Sequence, residues 1–281
     1  MAQKEKKYSF RMKVHEGHTL KLLMEVLTHI IKTSVIFSLH ENGIDIPVSD
    51  SEDRSFFKGF LDKNKFNSYY IAQPMNINLD LSSTIKKMKH IKKKDILLIT
   101  RYRDKPDQLE FKVKVDKSKS EHISYISIND TILLKKFIFP DIYGRPISIL
   151  ASDFYKNCKS ICSSENIIKI FSKRVNRIEL LCEDSEKKTI FDDADSDSEY
   201  DEKGVDLYEQ SFPASYILKI AKLVNLTPKN DVKIFLRDLN NKVNPELCLC
   251  IKLNIGTLGS AEFLLKSDEQ LDDRGDETED D

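Results

Sequence analysis

The sequence predicts an α+β fold made of two copies of one structural unit. With 281 residues, the chain is long enough for two domains of the usual size of roughly 150 residues. Its 40% apolar content is typical of a globular protein and not of a disordered one. The order of helix and strand patterns in the first half recurs in the second half, although the halves share almost no sequence identity. Because a shared order of this length is hard to obtain by chance, we interpret the chain as a duplicated α+β unit.

The first half begins with a predicted amphipathic helix over about His18–Ile31, where apolar residues recur at i, i+3, i+4 and i+7. Two strands follow around the tight turn Glu41–Gly43. A second helix is predicted over about Leu79–Ile91, and a hairpin turn over Asp104–Asp107 separates two later strands. The predicted strands of this half are Val35–Leu39, Gly43–Val48, Phe56–Asp62, Ser68–Ile71, Ile96–Arg103, Leu109–Val115 and His122–Ile128.

The second half repeats this order, with helices over about Ser152–Cys162 and Pro213–Val224. From His18 to Ser152 the offset between matching helices is 134 residues. We therefore predict an N-terminal domain at residues 1–128 and a C-terminal domain at residues 145–267. The connecting residues 129–144 are apolar for a linker, so we expect them to lie on a surface or to await a partner. The predicted strands of this half are Ile167–Ser172, Arg177–Cys182, Lys187–Phe191, Val232–Arg237, Leu247–Leu253 and Ala261–Leu265.

The net charge of −1 conceals two acidic segments on a basic body. Residues 192–204 carry a net charge of −6, and residues 268–281 carry −8. Removing these 14 negative charges from the total leaves +13 for the rest of the chain. We expect the first segment to be an acidic insert in the C-terminal domain and the second a disordered tail. A basic body favours a polyanionic partner, although a Lys-rich surface also serves solubility alone.

Several classes of protein are disfavoured by the composition and motifs. The chain has no GxxxxGK[ST] or GxGxxG motif, and no apolar run of about 18 residues that would span a membrane. The five cysteines and six histidines lack metal-ligand spacing, so we expect no metal and no cofactor. The cysteines are predicted to be reduced core residues, which indicates an intracellular, reducing location. Without a nucleophile motif or a His–carboxylate cluster, we expect no enzymatic activity.

Three short elements and the first helix occur in the order and spacing of one known family. The elements are Gly43–Ile46 with Asp50 and Ser51, Phe139–Pro140 with Tyr143, and Leu258–Leu265 followed by an acidic tail. Together they resemble the proliferating cell nuclear antigen (PCNA) family of eukaryotic, archaeal and viral DNA sliding clamps. The resemblance extends over about Tyr8–Ser267, nearly the whole chain. The Lys- and Ile-rich composition would suit a large DNA virus or an AT-rich eukaryote, so we expect the nucleus or a viral replication compartment as the location.

The resemblance implies a ring of three subunits with pseudo-sixfold symmetry, in which helices line the hole and sheets form the outer wall. Subunits of such a ring join by pairing edge strands, which removes exposed edges. The matching strands here are His122–Ile128 and Lys187–Phe191. The residues that the resemblance places at the subunit interface are Tyr125, Ile126, Thr189 and Ile190. The alternative is that these are ordinary strands of a monomer.

The resemblance also implies that lysines on the four helices contact DNA. A clamp has to hold duplex DNA without reading its sequence, and lysines contact phosphates as flexible point charges. Any one of these lysines could instead belong to a solvated polar face. The candidates are Lys21, Lys86, Lys87, Lys89, Lys156, Lys159, Lys219 and Lys222.

Partner proteins of the family insert a short peptide, with one aliphatic and two aromatic residues, beneath the connector loop. Such apolar anchors usually dominate binding in a desolvated pocket. Ser49 and Lys266–Ser267 depart from the family pattern, so the peptide preference is expected to differ. The alternative is that the pocket residues are simply core. The matching residues are Phe56, Phe137, Phe139, Pro140, Pro245, Leu264 and Leu265.

The resemblance thus implies a non-enzymatic DNA sliding clamp, a processivity factor that tethers DNA polymerase and other replication or repair factors to duplex DNA. Its expected partners are double-stranded DNA, bound without sequence specificity, a DNA polymerase, a clamp-loading ATPase, proteins with clamp-binding peptides, and two further copies of itself. The alternative is a monomeric, clamp-like factor for replication or late transcription that closes no ring by itself.

Overall fold

A computed structural model describes most of the chain. Four predicted pocket residues, Phe137, Phe139, Pro140 and Pro245, lie outside the described residues. Most of the predicted connection, insert and tail also lie outside them. The described ranges are 7–115, 120–130, 146–163, 166–174, 177–182, 187–192, 208–227, 229–236 and 249–272.

The chain divides into two compact units. The first unit comprises Met1–Val48, Phe57–Lys136 and Asn254–Ala261. The second unit comprises Ser49–Phe56, Phe137–Leu253 and Glu262–Asp281. Each unit therefore draws on non-contiguous stretches of the chain.

The first unit contains the helices α1 (Gly17–Leu27) and α2 (Leu81–Met88). Its strands are β1 (Tyr8–Val14), β2 (Ser34–His40), β3 (Gly43–Ser49), β4 (Ser55–Asp62), β5 (Ser68–Ile71), β6 (Met75–Asp80), β7 (Ile96–Tyr102), β8 (Gln108–Lys114), β9 (Glu121–Ser127), β10 (Asn129–Asp130) and the start of β18 (Gly259–Leu265). One sheet has the strand order β5-β1-β7-β8-β9. The other has the order β10-β6-β2-β3-β4-β18 in this unit.

The second unit contains α3 (Ala151–Ile161), α4 (Ala214–Leu223) and the short α5 (Glu269–Asp272). Its strands are β11 (Ile147–Leu150), β12 (Ile167–Arg174), β13 (Arg177–Leu181), β14 (Lys188–Asp192), β15 (Tyr208–Pro213), β16 (Asp231–Leu236), β17 (Leu249–Ile255) and the end of β18. One sheet has the strand order β14-β13-β12-β15. The other has the order β11-β16-β17-β18 in this unit.

The two units repeat one element order, which confirms the predicted α+β fold. α1 begins at Gly17 and α3 at Ala151, an offset of 134 residues. α2 begins at Leu81 and α4 at Ala214, an offset of 133 residues. When the strands are aligned on the helices of each unit, β1 corresponds to β11, β2–β4 to β12–β14, β6 to β15 and β7–β9 to β16–β18.

α1 and α2 are shorter than their apolar spacing predicted. α1 ends at Leu27, because a turn over the next three residues replaces the last predicted helical turn. α2 begins at Leu81 because Asp80 caps it, its Oδ1 accepting from the Ser83 N–H over 2.7 Å. The hydrogen bonds from Ser83 lower the pKa of Asp80 below its ordinary value. No helix in the described ranges is long and apolar enough to cross a membrane.

Each long helix follows a strand that the sequence analysis missed, directly for three helices and after two residues for α1. These strands are β1, β6, β11 and β15. In β1 the buried residues alternate with half-buried ones, with Phe10, Met12 and Val14 inward, so a period of two was present to be found. In β6, Leu79 was read as the first helical residue but is the last buried residue of the strand.

The predicted tail begins with ordered residues. Asp268 accepts a hydrogen bond from the Arg54 guanidinium over 2.6 Å, and Glu269 starts α5 with its carboxylate 3.1 Å from the Ser211 N–H. Residues 268–272 therefore belong to the folded second unit, because the carboxylates of Asp268 and Glu269 find donors there. Asp192, the first residue of the predicted insert, likewise belongs to the folded unit, because it is the last residue of β14.

Two glycines allow close approach to β4. Gly43 starts β3 with φ of 150°, and a Cβ there would lie 2.0 Å from the Leu61 carbonyl oxygen. A Cβ on Gly259, at the start of β18, would lie 1.8 Å from the Phe60 carbonyl oxygen. Since real Cβ atoms do not come so close to backbone oxygens, any larger residue would displace the strand.

We expect Gly43→Ala to lower the free energy of unfolding by about 2 kcal/mol or more, because it adds φ strain and a backbone clash. Urea denaturation of both proteins measures the difference. Ser260→Ala, an exposed position on β18, is the control and should change stability by less than about 0.5 kcal/mol. Equal effects of the two substitutions would contradict this account of β4.

Candidate functional site

Lys21, in the middle of α1, is held by contacts within the first unit. Its Nζ donates a hydrogen bond to the backbone carbonyl of Lys89 over 3.0 Å. Its Nζ also lies 3.9 Å from Oε1 of Glu25, one helical turn later. Lys21 therefore ties α1 to the end of α2, where carbonyl groups lack a helical partner. Only its remaining N–H donors are available to an anion.

The lysines of α2 are exposed. Lys86, Lys87 and Lys89 point away from the side of the helix that buries Leu81 and Met88. They lie at the C-terminal end of α2, where the helix dipole favours positive charge. This end of the first unit therefore presents several cations to solvent.

α3 separates its apolar and basic sides in the same way. Phe154, Cys158 and Ile161 are buried, as their spacing predicted, while Lys156 and Lys159 are exposed. Lys159 lies in the last turn. The second unit thus presents exposed lysines on its first helix, whereas the first unit presents them at its second helix.

The lysines of α4 are half-buried. The Nζ of Lys219 lies 3.7 Å from the ring centroid of Tyr216, a cation–π distance. The Tyr216 hydroxyl donates to Oε2 of Glu52 over 2.9 Å, and burial raises the pKa of Tyr216. Lys222 lies in the last turn of the helix. Each of the four long helices thus carries at least one lysine that is predicted to contact DNA.

β9 and β14 are each the terminal strand of a sheet in the part of the chain that the structure describes. β9 exposes Ile123 (51%) and Tyr125 (50%), and β14 exposes Ile190 (42%). The Tyr125 hydroxyl donates to Oε2 of Glu110 over 3.4 Å. An edge that also carries exposed apolar side chains favours pairing with another strand.

The other two predicted interface residues, Ile126 and Thr189, are less exposed than Tyr125 and Ile190. Ile126 is buried in its own unit, and Thr189 is half-buried. Ile126 would therefore serve an interface only through its backbone. Ile123 was missed, although it lies two residues from Tyr125 and so on the same side of the strand.

The described residues of the predicted peptide pocket lie in the second unit. Phe56 and Leu264 belong to one buried cluster with Cys250, and Phe235 packs against it. The buried Lys266 places its Nζ 5.1 Å from the ring centroid of Phe56. Leu265 is fully buried. The cluster is apolar, and Lys266 beside it is one of the residues that depart from the family pattern.

The cysteines within the described ranges are buried thiols. Burial raises the pKa of Cys158 well above its ordinary value and that of Cys162 to about 12. Neither thiol is therefore a thiolate at neutral pH, which agrees with the prediction of reduced core residues. Among the described residues, no group of three or more His, Cys, Asp or Glu is placed to hold a metal ion.

Known proteins share both the sequence pattern and the fold. Residues 9–132 match the family model of the proliferating cell nuclear antigen N-terminal domain. The crystal structure of the antigen from Entamoeba histolytica superposes with a TM-score of 0.75 and 16% sequence identity. The match covers 92% of this chain and 99% of that chain. Residues 9–132 thus belong to the PCNA N-terminal domain family, and the chain has the fold of the antigen. No curated protein sequence matches it.

The PCNA family model and the superposition support the fold without assigning roles to single residues. The helix lysines, the edge-strand residues and the apolar cluster therefore stay predictions about function. The structure adds that the side chains of the eight lysines differ in contacts and exposure. Lys21 and Lys219 are engaged in contacts, whereas Lys86 and Lys156 are exposed. Sequence spacing gave no signal for this difference, because the contacts join residues on separate elements or depend on rotamers.

We expect Lys21→Met to lower the free energy of unfolding by about 0.5–1.5 kcal/mol, the usual worth of one hydrogen bond. Lys86→Met, which removes the same charge from an exposed position, should change it by less than about 0.5 kcal/mol. Urea denaturation at one salt concentration compares the two. If both variants lose the same stability, the tie between Lys21 and Lys89 contributes nothing.

Proposed function

We propose that this protein is a non-enzymatic DNA sliding clamp of the PCNA family, in which three copies close a ring around duplex DNA. The ring tethers a DNA polymerase and so raises its processivity. The observation that carries the proposal is the pair of terminal strands, β9 and β14, each of which has a neighbouring strand on one side alone among the described residues.

The repeat indicates how these edges pair. β9 matches β18, and β14 matches β4. β4 and β18 are neighbouring strands, and the Asp62 N–H donates to the Leu258 carbonyl oxygen over 3.0 Å at their end. If the same junction forms between copies, β14 of one protomer lies beside β9 of the next. Such a head-to-tail contact closes into a ring when the rotation per subunit divides a full turn.

The edge side chains support this pairing. Ile123 and Tyr125 on one edge and Ile190 on the other are large, apolar and exposed. Burying them between protomers would stabilise the contact by roughly 1.5–3 kcal/mol for each fully buried side chain. Ring closure would also leave no open sheet edge at these two strands, which protects against aggregation.

The lysines support DNA binding without sequence readout. Every long helix carries at least one, and the body of the chain outside the acidic segments has a net charge of +13. Lysine ammonium groups contact phosphates as point charges and do not distinguish bases. A ring that holds DNA only through such contacts can slide, because every position along the duplex offers the same phosphates.

The partners follow from the ring. A closed ring needs an ATP-driven loader to open it, and a polymerase needs a docking site. The apolar cluster around Phe56 and Leu264 is the proposed site for client peptides, together with the predicted residues outside the described ranges. We place the protein in the nucleus or a viral replication compartment as part of this proposal.

Light scattering should give a mass near three times the 32.6 kDa of one chain, persisting on dilution. Ile190→Glu should shift the mass towards one chain, because it places a charge at the proposed interface. Leu150→Glu is the matched control, since Leu150 is also 42% exposed but lies on β11, and it should leave the mass unchanged. A wild-type mass near one chain at every concentration would exclude the self-closing ring and favour the monomeric factor.

DNA affinity should fall steeply with salt, and Lys86→Gln with Lys156→Gln should flatten that dependence. Each lost phosphate contact reduces the slope of log K against log salt by about one. Lys63→Gln with Lys65→Gln, two exposed lysines in the turn after β4, is the charge-matched control. Fluorescence anisotropy on a labelled duplex measures the slopes. Equal slopes for both double variants would remove the helix lysines from the DNA contact.

A further inference from the structure

Arg101, near the end of β7, binds three separate segments of the first unit through its guanidinium group. Its Nε–H donates to the Pro106 carbonyl oxygen over 2.7 Å, in the turn after β7. Its Nη1 lies 3.1 Å from Sδ of Met75, the first residue of β6. Its Nη2 donates to Oδ2 of Asp130, the last residue of β10, over 2.9 Å. An arginine can serve several acceptors in this way, because its N–H donors form one rigid, planar fork.

The two members of the Arg101–Asp130 ion pair differ in exposure. The Arg101 side chain is 7% exposed, so its charge is held within the fold. The Asp130 side chain is 62% exposed and lies at the surface. A buried guanidinium is stable only where acceptors of the protein replace the water that it loses. The contact therefore joins a fixed point of the first unit to a residue at its surface.

β10 is a short strand, and its pairing with β6 extends over two residues, to Asn78 and Ile77. Oδ1 of Asn78 is buried without a hydrogen-bond partner, so this amide oxygen adds no bond at the junction. Just before β10, the Ile128 N–H donates to the Asp107 carbonyl oxygen over 2.8 Å. Within the described part of the chain, the side chain that fixes the end of β10 is therefore Arg101.

β10 forms the start of the predicted connection, residues 129–144, and is the part of it that the structure describes. The proposed function places client peptides at an apolar cluster together with Phe137, Phe139 and Pro140 of the same connection. These three residues follow Asp130 closely in the sequence. Because each residue extends a chain by at most about 3.6 Å, the place and direction in which β10 ends limit where they can lie.

We propose that Arg101 is a positioning residue for client binding. Through Asp130 it holds the start of the connection in one arrangement, so that the connection is ordered before a peptide arrives. Ordering a segment in advance strengthens binding, because the entropy cost of ordering it no longer opposes association. The inference rests on the proposed client site, but it requires neither a closed ring nor bound DNA.

Two substitutions remove the contact from opposite sides. Arg101→Met keeps an unbranched side chain but removes the donors, whereas Asp130→Ala removes the acceptor at the surface. Each should weaken binding of a synthetic peptide with one aliphatic and two aromatic anchors by about three- to tenfold, the usual effect of leaving one or two side chains to be ordered. Asp104→Ala is the control, since Asp104 is exposed in the turn after β7, and it should leave the affinity unchanged. Isothermal titration calorimetry measures the affinities.

Hydrogen exchange followed by mass spectrometry separates positioning from general destabilisation. In Asp130→Ala, the amides of residues 129–144 should exchange faster by about threefold or more, while the amides of β7 keep their wild-type rates. β7 is the internal reference, because it is held by pairing with β1 and β8 and not by Asp130. Equally faster exchange in both segments would reduce the contact to a general structural role and overturn the inference.

The double variant decides whether the two residues act together. Arg101→Met with Asp130→Ala should weaken peptide binding no more than Arg101→Met alone, since both substitutions remove the same contact. Additive losses would overturn the inference, as would wild-type affinity in Asp130→Ala. If the wild-type chain binds no such peptide, the proposed client site is rejected. The exchange rates of residues 129–144 then decide by themselves whether Arg101 positions the connection.

Discussion

Antiparallel strand pairing is the constraint on which the rest of this molecule depends. The four long helices have only 8 to 11 residues, and isolated helices of this length are barely stable in water. They are ordered because one face packs on a sheet, as Leu23 of α1 and Phe154 of α3 do. The lysines on the opposite faces are therefore positioned by the sheets. A register slip of one residue in a supporting strand would exchange its buried and exposed faces and remove that support.

The basic surfaces destabilise the fold through charge repulsion, and local contacts offset part of this repulsion. Lysines placed together repel one another, and this repulsion opposes the compact state. Lys21 offsets it by donating to a backbone carbonyl, and Lys219 by lying over the ring of Tyr216. A negative charge is held in the same way at Asp268, which binds Arg54. Contacts within the fold thus hold the charged groups of Lys21, Lys219 and Asp268 in place. The exposed lysines stay available for an anionic partner.

Much of the fold could be predicted from sequence, because burial imposes periods that a single chain reveals. The helix periodicity found α1 and α3 within a few residues, and the Gly43 turn found the β2–β3 hairpin. β6 escaped because its apolar residues run directly into those of α2, so that the helix pattern hid the strand pattern. Tertiary contacts, such as the one between Lys21 and the Lys89 carbonyl group, leave no periodic pattern in the sequence from which they could be predicted.

The proposed junction between protomers would differ in chemistry from the matching junction inside the chain. Within the chain, Gly43 and Gly259 let strands approach the β4 backbone closely, and neither position tolerates a side chain. Among the matched strands, β9 begins at Glu121, whose carboxylate pairs with Lys112 and Lys114, and β13 begins at Arg177. The edge strand β9, and β13 beside the edge strand β14, thus start with charged side chains where the internal junction has glycine. Such an edge is soluble when unpaired, so a ring built on it could be opened and closed again, while the internal junction stays shut.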